Sequence, residues 1–515
     1  MELERAKSGP ETSLRVGAAA LAARLAGRAS RALGRGGGTA FPGLVAERLA
    51  PGLLPHLAAQ VPGGIAVVTG TNGKTTTSHM LAAILSRAGR RPLRNASGSN
   101  LSRGVAGALA ARADARGRLR LPPVGEGLQG PLVGLFETDE AAFARVVPAV
   151  RPDVVVVTNL FRDQLDRYGE VDTVATIWRS ALAALDAGGA RRALLTLALN
   201  ADDPTVAALS PPGVGATLTY GIGDARWGHP GLEHAADAKV CPACGARLEY
   251  PVCFYGHLGH YRCANGHARP DPDVCATRLE LHGFEGTDLT LTSPAGEIAF
   301  RLPLPGLYNV YNALAAATGA LALGLSPPAI REGLATFSAA FGRLERAPVG
   351  PHTVTLVLAK NPVGMNEALR TLFSDGASRH LLLALNDLDA DGRDVSWVWD
   401  ADFEQVAGHA RSVTVSGRRA EDLALRLKYA GVGSPRSEVR GLRSEAGPPL
   451  SEGRAGSGAD EMVIEPDLER ALDLALAALP SGETLYCVLT YTAMLALRRV
   501  LTERGHLAPY WQDQA

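Results

Sequence analysis

Residues 69–77, TGTNGKTTT, are the feature that most constrains what this chain can fold into. They follow the short apolar run 65–68 and precede a stretch with apolar residues at helical spacing, which predicts a strand, a glycine-rich turn and a helix. Such a turn lets backbone amides approach phosphate oxygens, and the helix N-terminus adds positive potential. We expect Lys74 to reach the β- and γ-phosphates of a nucleotide and Thr75 to offer its hydroxyl to Mg²⁺. The residues expected at the nucleotide are Gly70, Thr71, Asn72, Gly73, Lys74, Thr75 and Thr76.

Short apolar runs alternate with helical patterns along most of the chain, which is typical of α/β domains with parallel sheets. The strand candidates of the first region are 65–68, 133–136, Val154–Val157 and 194–199. The alternation restarts after the segment RLERAPVGP, with candidates at 354–358, 380–385, 412–415 and 486–489. We therefore predict one α/β domain at 41–345 and a second, Rossmann-like domain at 346–515. Residues 434–460 are rich in Gly, Ser, Glu and Arg, which predicts a mobile surface excursion from the second domain.

Residues 1–40 predict a basic N-terminal extension with a helix at 14–35. Its arginines at i, i+4, i+7 and i+11 share one face, beside a narrow apolar stripe. The favoured interpretation is a solvated face of a helix packed on its own domain, and the alternative is a basic helix near an anionic surface. The arginines are Arg24, Arg28, Arg31 and Arg35, and the stripe is Leu14, Leu21 and Leu25.

Composition narrows the class of protein. The 515 residues carry 52 Lys+Arg and 52 Asp+Glu, so no global charge favours nucleic acid or an anionic membrane. No apolar run reaches the roughly 18 residues of a transmembrane helix, and the start MELERAKSGPETS contains acids and no signal-peptide core. A cytoplasmic protein is the expectation.

Five of the six cysteines lie between 241 and 275, which indicates a metal site in a reducing compartment. Cys241 and Cys244, in CPACG, are typical of half a zinc knuckle, and Cys263 follows at the spacing of a second half. Position 266 of that second half is glycine, so His267 is the expected fourth ligand; Cys253, Cys275 and His260 remain alternatives. The predicted centre is a structural Zn²⁺ site rather than an iron–sulfur cluster, in a zinc ribbon inserted at about 238–275.

The form TGTNGKTT, with Val68 where a general phosphate loop has glycine, resembles the Mur ligase superfamily, which includes the peptidoglycan peptide ligases and folylpolyglutamate synthase. Further segments fit the same superfamily in order. Glu137, in FETDE, matches its Mg²⁺-binding glutamate, and TNLFRDQLD resembles its TN…DHLD segment, with Gln164 replacing a metal-binding histidine. Asn309 and Asn312 resemble its asparagine pair at the nucleotide base, and Arg343 its arginine at the hinge before the last domain.

Within that superfamily the chain closely resembles the MurT family over roughly residues 38–515. The resemblance rests on the inserted cysteine segment and on ALND…DGRDVSWVWD (384–400), KNPVGM (360–365) and LTYTAM (489–494). It implies a Mur-ligase ATPase domain that uses ATP and Mg²⁺ to amidate the α-carboxyl of D-glutamate in the stem peptide of lipid II through an acyl phosphate. It also implies a GatD-type glutaminase partner that supplies ammonia. Because the implied substrate is a lipid, peripheral contact of the protein with the inner face of the membrane stays open. Asp394, and second Asp391, are the expected catalytic aspartates.

The positions of the cysteines also favour a glutaminase on a separate subunit. A glutaminase of this kind needs a cysteine on a glycine-rich elbow with a histidine partner. The one cysteine outside the cluster, Cys487, lies in the strand-like LYCVL. Two alternatives stay open: a Mur- or folylpolyglutamate-type ligase that adds an amino acid, and a zinc-ribbon nucleic-acid module, which the neutral charge disfavours.

Overall fold

The structure, a computed structural model, describes residues 10–32, 40–95, 99–120, 130–162, 171–185, 195–233, 236–337, 343–437 and 461–508. The described residues up to Phe337 form one compact unit, and those from Arg343 onward form a second. Gln164, Arg35 and most of the expected 434–460 excursion lie outside the described residues. Among the described helices, none combines the length and hydrophobicity of a membrane span.

Nine of the described strands form the sheet of the first unit, in the order β11-β10-β9-β6-β5-β4-β1-β3-β2. The strands are β1 (Ile65–Thr69), β2 (Arg91–Arg94), β3 (Leu132–Glu137), β4 (Val154–Val157), β5 (Thr196–Asn200), β6 (Ala216–Ile222), β9 (Val274–Leu281), β10 (Thr287–Ser293) and β11 (Gly296–Leu302). The helices are α1 (Pro10–Ala32), α2 (Ala40–Leu49), α3 (Leu53–Ala58), α4 (Lys74–Arg87), α5 (Ser102–Arg112), α6 (Glu140–Val150), α7 (Val171–Ala184), α8 (Pro204–Ala207), α9 (Leu307–Ala322) and α10 (Pro327–Ala335).

The centre of this sheet is parallel, as expected. Strand β1 pairs in parallel with both β3 and β4, and every residue of these three strands is buried. Parallel strands covered on both faces read as continuous apolar runs, which is why the four valines of β4 marked a strand in the sequence. One edge of the sheet departs from the parallel arrangement. There β9, β10 and β11 are antiparallel, because a two-residue turn at 294–295 can join only antiparallel neighbours.

The N-terminal helix α1 packs into the first unit through its small residues. Val16, Ala19, Ala20 and Ala23 are buried in the same core as residues of α3 and α5, and α1 also contacts α2. The expected leucine stripe lies on the opposite face, where Leu14, Leu21 and Leu25 are 62%, 47% and 55% exposed.

The cysteine-rich segment interrupts the sheet between β6 and β9, which pair directly with one another. It contains a separate antiparallel hairpin of β7 (Leu248–Tyr255) and β8 (Leu258–Cys263), preceded by the turn that carries Cys241 and Cys244. We call residues 236–273 the cysteine module.

The second unit contains a sheet of seven described strands in the order β12-β13-β18-β14-β15-β17-β16. Only the β12–β13 pair is antiparallel among the pairings described there. Residues 434–437, expected to begin an irregular excursion, form the edge strand β16 instead, because they pair with β17. The strands are β12 (Arg343–Val349), β13 (His352–Leu358), β14 (Arg379–Ala384), β15 (Ala410–Ser416), β16 (Ser434–Ser437), β17 (Glu461–Ile464) and β18 (Thr484–Leu489). The helices are α11 (Pro362–Phe373), α12 (Ala420–Tyr429), α13 (Leu468–Ala477) and α14 (Tyr491–Glu503).

Candidate active site

The loop between β1 and α4 has the backbone that a phosphate site needs. Gly70 and Gly73 have φ angles of 132° and 86°, which favour glycine. A Cβ on Gly70 would lie 2.0 Å from Thr158 Oγ1, and one on Gly73 would lie 2.0 Å from Asn312 Oδ1. Both positions therefore require glycine for conformation and for space.

Residues that follow β4 brace this loop. Asn72 N donates to Asn159 Oδ1 at 2.9 Å, and Thr158 Oγ1 donates to Asn72 O at 2.7 Å. Thr71 exchanges hydrogen bonds with Phe161, because Thr71 Oγ1 donates to Phe161 O at 3.1 Å and accepts from Phe161 N at 3.0 Å. These hydrogen bonds within the chain hold the loop conformation.

Lys74 opens α4, and its ammonium is engaged by its own unit. Nζ donates to Gly70 O, to Thr71 O at 3.1 Å and to Glu140 Oε2 at 3.2 Å. The side chains of Lys74 and Glu140 are only 9% and 5% exposed, so this ion pair is buried. Glu140, in the first turn of α6, was not expected from the sequence.

Thr75 and Glu137, the two residues expected to bind Mg²⁺, are in direct contact. Thr75 Oγ1 donates to Glu137 Oε1 at 2.9 Å. Asn95 fixes the backbone of Glu137 at the end of β3, because Asn95 Nδ2 donates to Glu137 O and Asn95 Oδ1 accepts from Glu137 N, both at 2.9 Å. A hydroxyl and a carboxylate are hard oxygen ligands, the kind that Mg²⁺ prefers, so this pair fits the cation. Thr76 is buried in the first turn of α4.

Asn309 and Asn312 lie in α9 and contact one another, since Asn312 Nδ2 donates to Asn309 Oδ1 at 3.1 Å. Asn312 also lies against Gly73 and accepts from Thr77 Oγ1 at 3.4 Å. The structure therefore brings Asn312 to the loop itself. Arg343 is the first residue of β12, and its side chain is not among those described.

The cysteine module brings together Cys241, Cys244, Cys263 and His267, whose ligand atoms all lie within 4.8 Å of one another. Cys244 Sγ is 3.7 Å from Cys263 Sγ, and Cys263 Sγ is 3.6 Å from His267 Nδ1. Four ligands around a Zn²⁺ with bonds of about 2.3 Å stand roughly 3.8 Å apart, so this donor set fits tetrahedral zinc.

Hydrogen bonds favour the thiolate of Cys244, whereas burial raises the pKa of Cys241. The backbone N–H of Ala246, followed by the Asn265 side chain, lowers the pKa of Cys244 to about 6. The residues weighed as alternative fourth ligands have other neighbours: Cys253 Sγ donates to Gly256 O at 3.4 Å, and His260 Nε2 lies 2.9 Å from Ile222 O. Burial raises the pKa of Cys275.

The aspartate-rich loop after β14 contains carboxylates in two different settings. Asp391 is buried; it accepts from Thr492 N at 2.8 Å and from Thr492 Oγ1 at 2.5 Å, at the start of α14. Asp387 accepts from two arginines, Arg418 at 2.8 Å and Arg419 at 2.9 Å. These carboxylates hold the loop in place.

Asp394 is exposed, and its described hydrogen bond is local, from Ser396 N to Asp394 Oδ1 at 2.8 Å. The hydroxyl and then the backbone N–H of Ser396 lower the pKa of Asp394 below its ordinary value. The structure thus separates the two expected catalytic aspartates: Asp391 is committed to the fold, while Asp394 presents a charged carboxylate to solvent.

Two families match successive parts of this chain. The Mur ligase middle domain matches residues 68–241, which include the phosphate loop and Glu137, and the MurT ligase C-terminal family matches residues 358–494, which include Asp391 and Asp394. The MurT subunit of lipid II isoglutaminyl synthase (glutamine-hydrolyzing) from Staphylococcus aureus strain COL is 33% identical over 80% of this chain and 87% of its own. The subunit of the same name from Streptococcus pneumoniae strain R6 is 32% identical over 93% of this chain and 96% of its own.

The chain belongs to the MurT family. The resemblance expected from the sequence is confirmed, and the chain is a ligase that forms C–N bonds. Among solved structures, a pseudomurein peptide ligase type C from Methanothermus fervidus has a TM-score of 0.58 at 23% identity and covers 87% of this chain and 80% of its own. That likeness confirms the α/β Mur-ligase architecture.

In this MurT-family chain, sequence reasoning also missed two buried acids beyond β5. Asp202 accepts from Ile222 N at 2.8 Å and Tyr311 OH at 2.6 Å, and also from Arg269 of the cysteine module. Asp203 Oδ2 accepts from Leu160 N at 2.8 Å and lies 3.3 Å from Nε2 of the buried His257. The sequence signal was present as ADD at the end of a strand candidate, but its partners are distant in sequence.

These acids join the cysteine module to the phosphate loop. The rings of His257 and Phe161 have centroids 4.4 Å apart, and Phe161 N is the donor to Thr71 Oγ1. Arg162 pairs with Asp237 at the start of the module. The module is therefore packed against the segment that braces the loop.

Proposed function

We propose that the chain is the ATP-dependent ligase subunit of a lipid II isoglutaminyl synthase in peptidoglycan synthesis. The reaction would convert the α-carboxyl of D-glutamate in the lipid II stem peptide into an amide. The observation that carries the proposal is the arrangement of Lys74, Thr75 and Glu137 at the ends of β1 and β3, in a chain of the MurT family.

The chemistry needs two group transfers. A substrate carboxylate oxygen attacks the γ-phosphorus of ATP, the bond to the β-phosphate oxygen breaks, and ADP leaves. Ammonia then attacks the carbonyl carbon of the acyl phosphate, loses a proton, and expels inorganic phosphate to give the amide. The protein's task in both steps is positioning and neutralisation of charge.

Residues of the first unit can perform that task. Lys74 would leave Glu140 and neutralise the β- and γ-phosphates, while the amides of 70–74 cradle them. Thr75 and Glu137 would hold Mg²⁺, which neutralises phosphate charge when bound. Asn309, Asn312 and Arg343 are proposed to contact the rest of the nucleotide.

The nitrogen is proposed to come from a separate glutaminase of the GatD type. Burial raises the pKa of Cys487, which lies inside β18 with a fully buried side chain, so this thiol is unsuited to attack glutamine. A partner would dock on the second unit, where exposed Asp394 could orient a histidine of the partner or assist ammonia delivery. The ring of Trp399, which follows Asp394 closely in sequence, lies with its centroid 5.8 Å from that of Tyr429, and these two exposed rings offer an apolar contact to a partner.

The cysteine module is proposed to hold one structural Zn²⁺ through Cys241, Cys244, Cys263 and His267. A site closed by four protein ligands has no open position for catalysis. We also propose a cytoplasmic location, with lipid II reached at the membrane surface.

The test is reconstitution with the glutaminase, ATP, ¹⁵N-amide glutamine and lipid II. The expected product carries ¹⁵N and the mass change of one carboxyl converted into an amide. Transfer of a whole amino acid to the carboxylate would instead favour the alternative Mur-type ligase. No product with any nitrogen donor would overturn the proposal.

A further inference from the structure

Helix α1 exposes leucines although alanines perform its packing. Leu14, Leu21 and Leu25, at i, i+7 and i+11, lie on the face opposite Ala19, Ala20 and Ala23. Transfer of leucine side chains out of water is favourable, so burial of these three exposed leucines against another surface would stabilise binding to it.

Arginines border this stripe on both sides. On one side Arg15 Nε donates to Leu49 O at 2.8 Å, which places the end of α2, with exposed Arg48, along the stripe. On the other side Arg24 Nη1 donates to Ala113 O at 2.6 Å, and Gly17 lies directly against Ala115. The turn at 113–120 therefore runs beside α1.

That turn contributes a second set of cations. Arg116, Arg118 and Arg120 are exposed there, and Arg28 is exposed on α1 itself. The one acid of the turn, Asp114, is half-buried, and its Oδ1 accepts from the backbone N–H groups of residues 116 and 118 at 2.8 and 2.9 Å, so the three exposed arginines of the turn outnumber it. Although the whole chain is neutral, this face is locally basic.

We propose that this leucine–arginine face, formed by Leu14, Leu21, Leu25, Arg28, Arg116 and Arg118, docks the protein on an anionic lipid bilayer. Leucines enter the boundary between headgroups and acyl chains while arginines remain with the phosphates, which is how interfacial amphipathic helices bind. A nucleic acid would match the arginines but would leave the leucines in water. The choice of a bilayer also rests on the proposed function, because a lipid-linked substrate lies in that surface.

The experiment is co-sedimentation of the full complex with vesicles of phosphatidylglycerol and phosphatidylcholine, compared with phosphatidylcholine alone. Wild type should bind the anionic vesicles and lose affinity as salt screens the arginines. Each arginine near such a surface contributes roughly fivefold in affinity, so Arg116→Glu with Arg118→Glu should weaken binding roughly 25-fold or more. Leu21→Asp with Leu25→Asp should weaken it by roughly tenfold or more.

Ile177→Asp is the matched control, since Ile177 is a 40%-exposed aliphatic side chain of the same unit on α7. It should bind vesicles like wild type, and all variants should retain the wild-type melting temperature. Equal binding to both vesicle types, or full binding by the leucine variant, would overturn the proposal. A leucine variant that still binds vesicles but no longer binds the glutaminase subunit would also overturn it.

Amidation assays keep this proposal separate from the proposed function. With a water-soluble stem peptide the leucine variant should retain wild-type activity, and with lipid II in vesicles its activity should fall with its binding. If neither the wild type nor any variant amidated the substrate, the proposed function would be contradicted. Vesicle binding would still be measured independently of that result.

Discussion

The phosphate loop and the aspartate loop both follow the end of a parallel strand, but they differ in how far their charged groups are already engaged. Lys74 is buried against Glu140 and two loop carbonyls of its own unit. Asp394 is exposed and bonded only to its neighbour Ser396 among the contacts described. The first loop contains the parts of a phosphate site within one unit, whereas the second presents a carboxylate that is open to solvent.

This difference matches the division of labour proposed for the two units. Phosphoryl transfer needs several positive groups fixed at once, which a braced loop provides. Nitrogen delivery from another subunit needs a group that remains accessible until that subunit binds.

The largest effect is expected for Lys74→Ala. Loss of one preorganised cation at the transferring phosphoryl group should lower kcat for amidation by about 10²- to 10³-fold or more. The loss should be equal with glutamine and with high ammonium, because the nitrogen source acts after phosphoryl transfer. Lys428→Ala, at an exposed position of α12, is the control, and near-normal turnover by Lys74→Ala would remove the loop from the mechanism.

Asp394→Asn should separate the two nitrogen sources. We expect glutamine-dependent amidation to fall by about 10²-fold, with nucleotide binding unchanged. Recovery with ammonium would assign Asp394 to the glutaminase side, and no recovery would assign it to acyl transfer. Because the pKa of Asp394 is lowered, its carboxylate stays charged from neutral pH down into the ordinary aspartate range, so a loss of activity near neutral pH must come from another group.

Asp391→Asn is the matched comparison. The buried Asp391 accepts from the backbone N–H of Thr492 in the first turn of α14, so its substitution should lower the melting temperature of the protein as well as its activity. If Asp394→Asn were fully active and Asp391→Asn were inactive at unchanged stability, Asp391 would replace Asp394 as the catalytic candidate.

The double variant Cys241→Ser with Cys244→Ser tests whether the phosphate loop depends on the cysteine module. Elemental analysis of wild type should find about one zinc per chain, and the double variant should lose it. Because metal binding energy is folding energy, the module should loosen, and kcat for amidation should fall by less than in Lys74→Ala. Cys275→Ser is the control, and iron in place of zinc would contradict the assignment.

Gly73→Ala and Gly89→Ala provide the finest comparison. Both glycines have left-handed φ angles, 86° and 73°, so the backbone conformation alone should make each alanine lower the free energy of unfolding by about 1–2 kcal/mol, and the steric clash should add to that cost at Gly73. Only a Cβ on Gly73 meets another group, Asn312 Oδ1, whereas Gly89 has open space. Nucleotide affinity should therefore fall for Gly73→Ala alone, as measured by calorimetric titration.

Local patterns predicted the class of the fold and the parts of the site that are close in sequence. Gly70, Gly73, Lys74 and Thr75 lie in one segment, and a strand and helix on either side fix their arrangement. The cysteine spacing likewise predicted which thiols would meet, because a knuckle turn is local.

Contacts between distant segments could not be predicted in this way. Glu140 reaches Lys74, and Arg269 reaches Asp202, only because the sheet aligns the ends of strands far apart in the chain. The leucines of α1 show a related limit: periodicity identified their common face, but the alanine face was free to pack instead because small residues let helices approach closely. Burial is decided by the neighbouring helices as well as by hydrophobicity.

The buried pair of Lys74 and Glu140 has a consequence for the end of each catalytic cycle. A lysine that binds phosphates tightly can retain ADP, and release of product often limits the turnover of an enzyme. In the proposed reaction Glu140 would offer Lys74 an alternative anion within the same unit, so the ammonium would not have to return to water when the nucleotide departs. The carboxylate would then weaken the hold on ATP, and in return it would lower the free-energy cost of emptying the site for the next substrate.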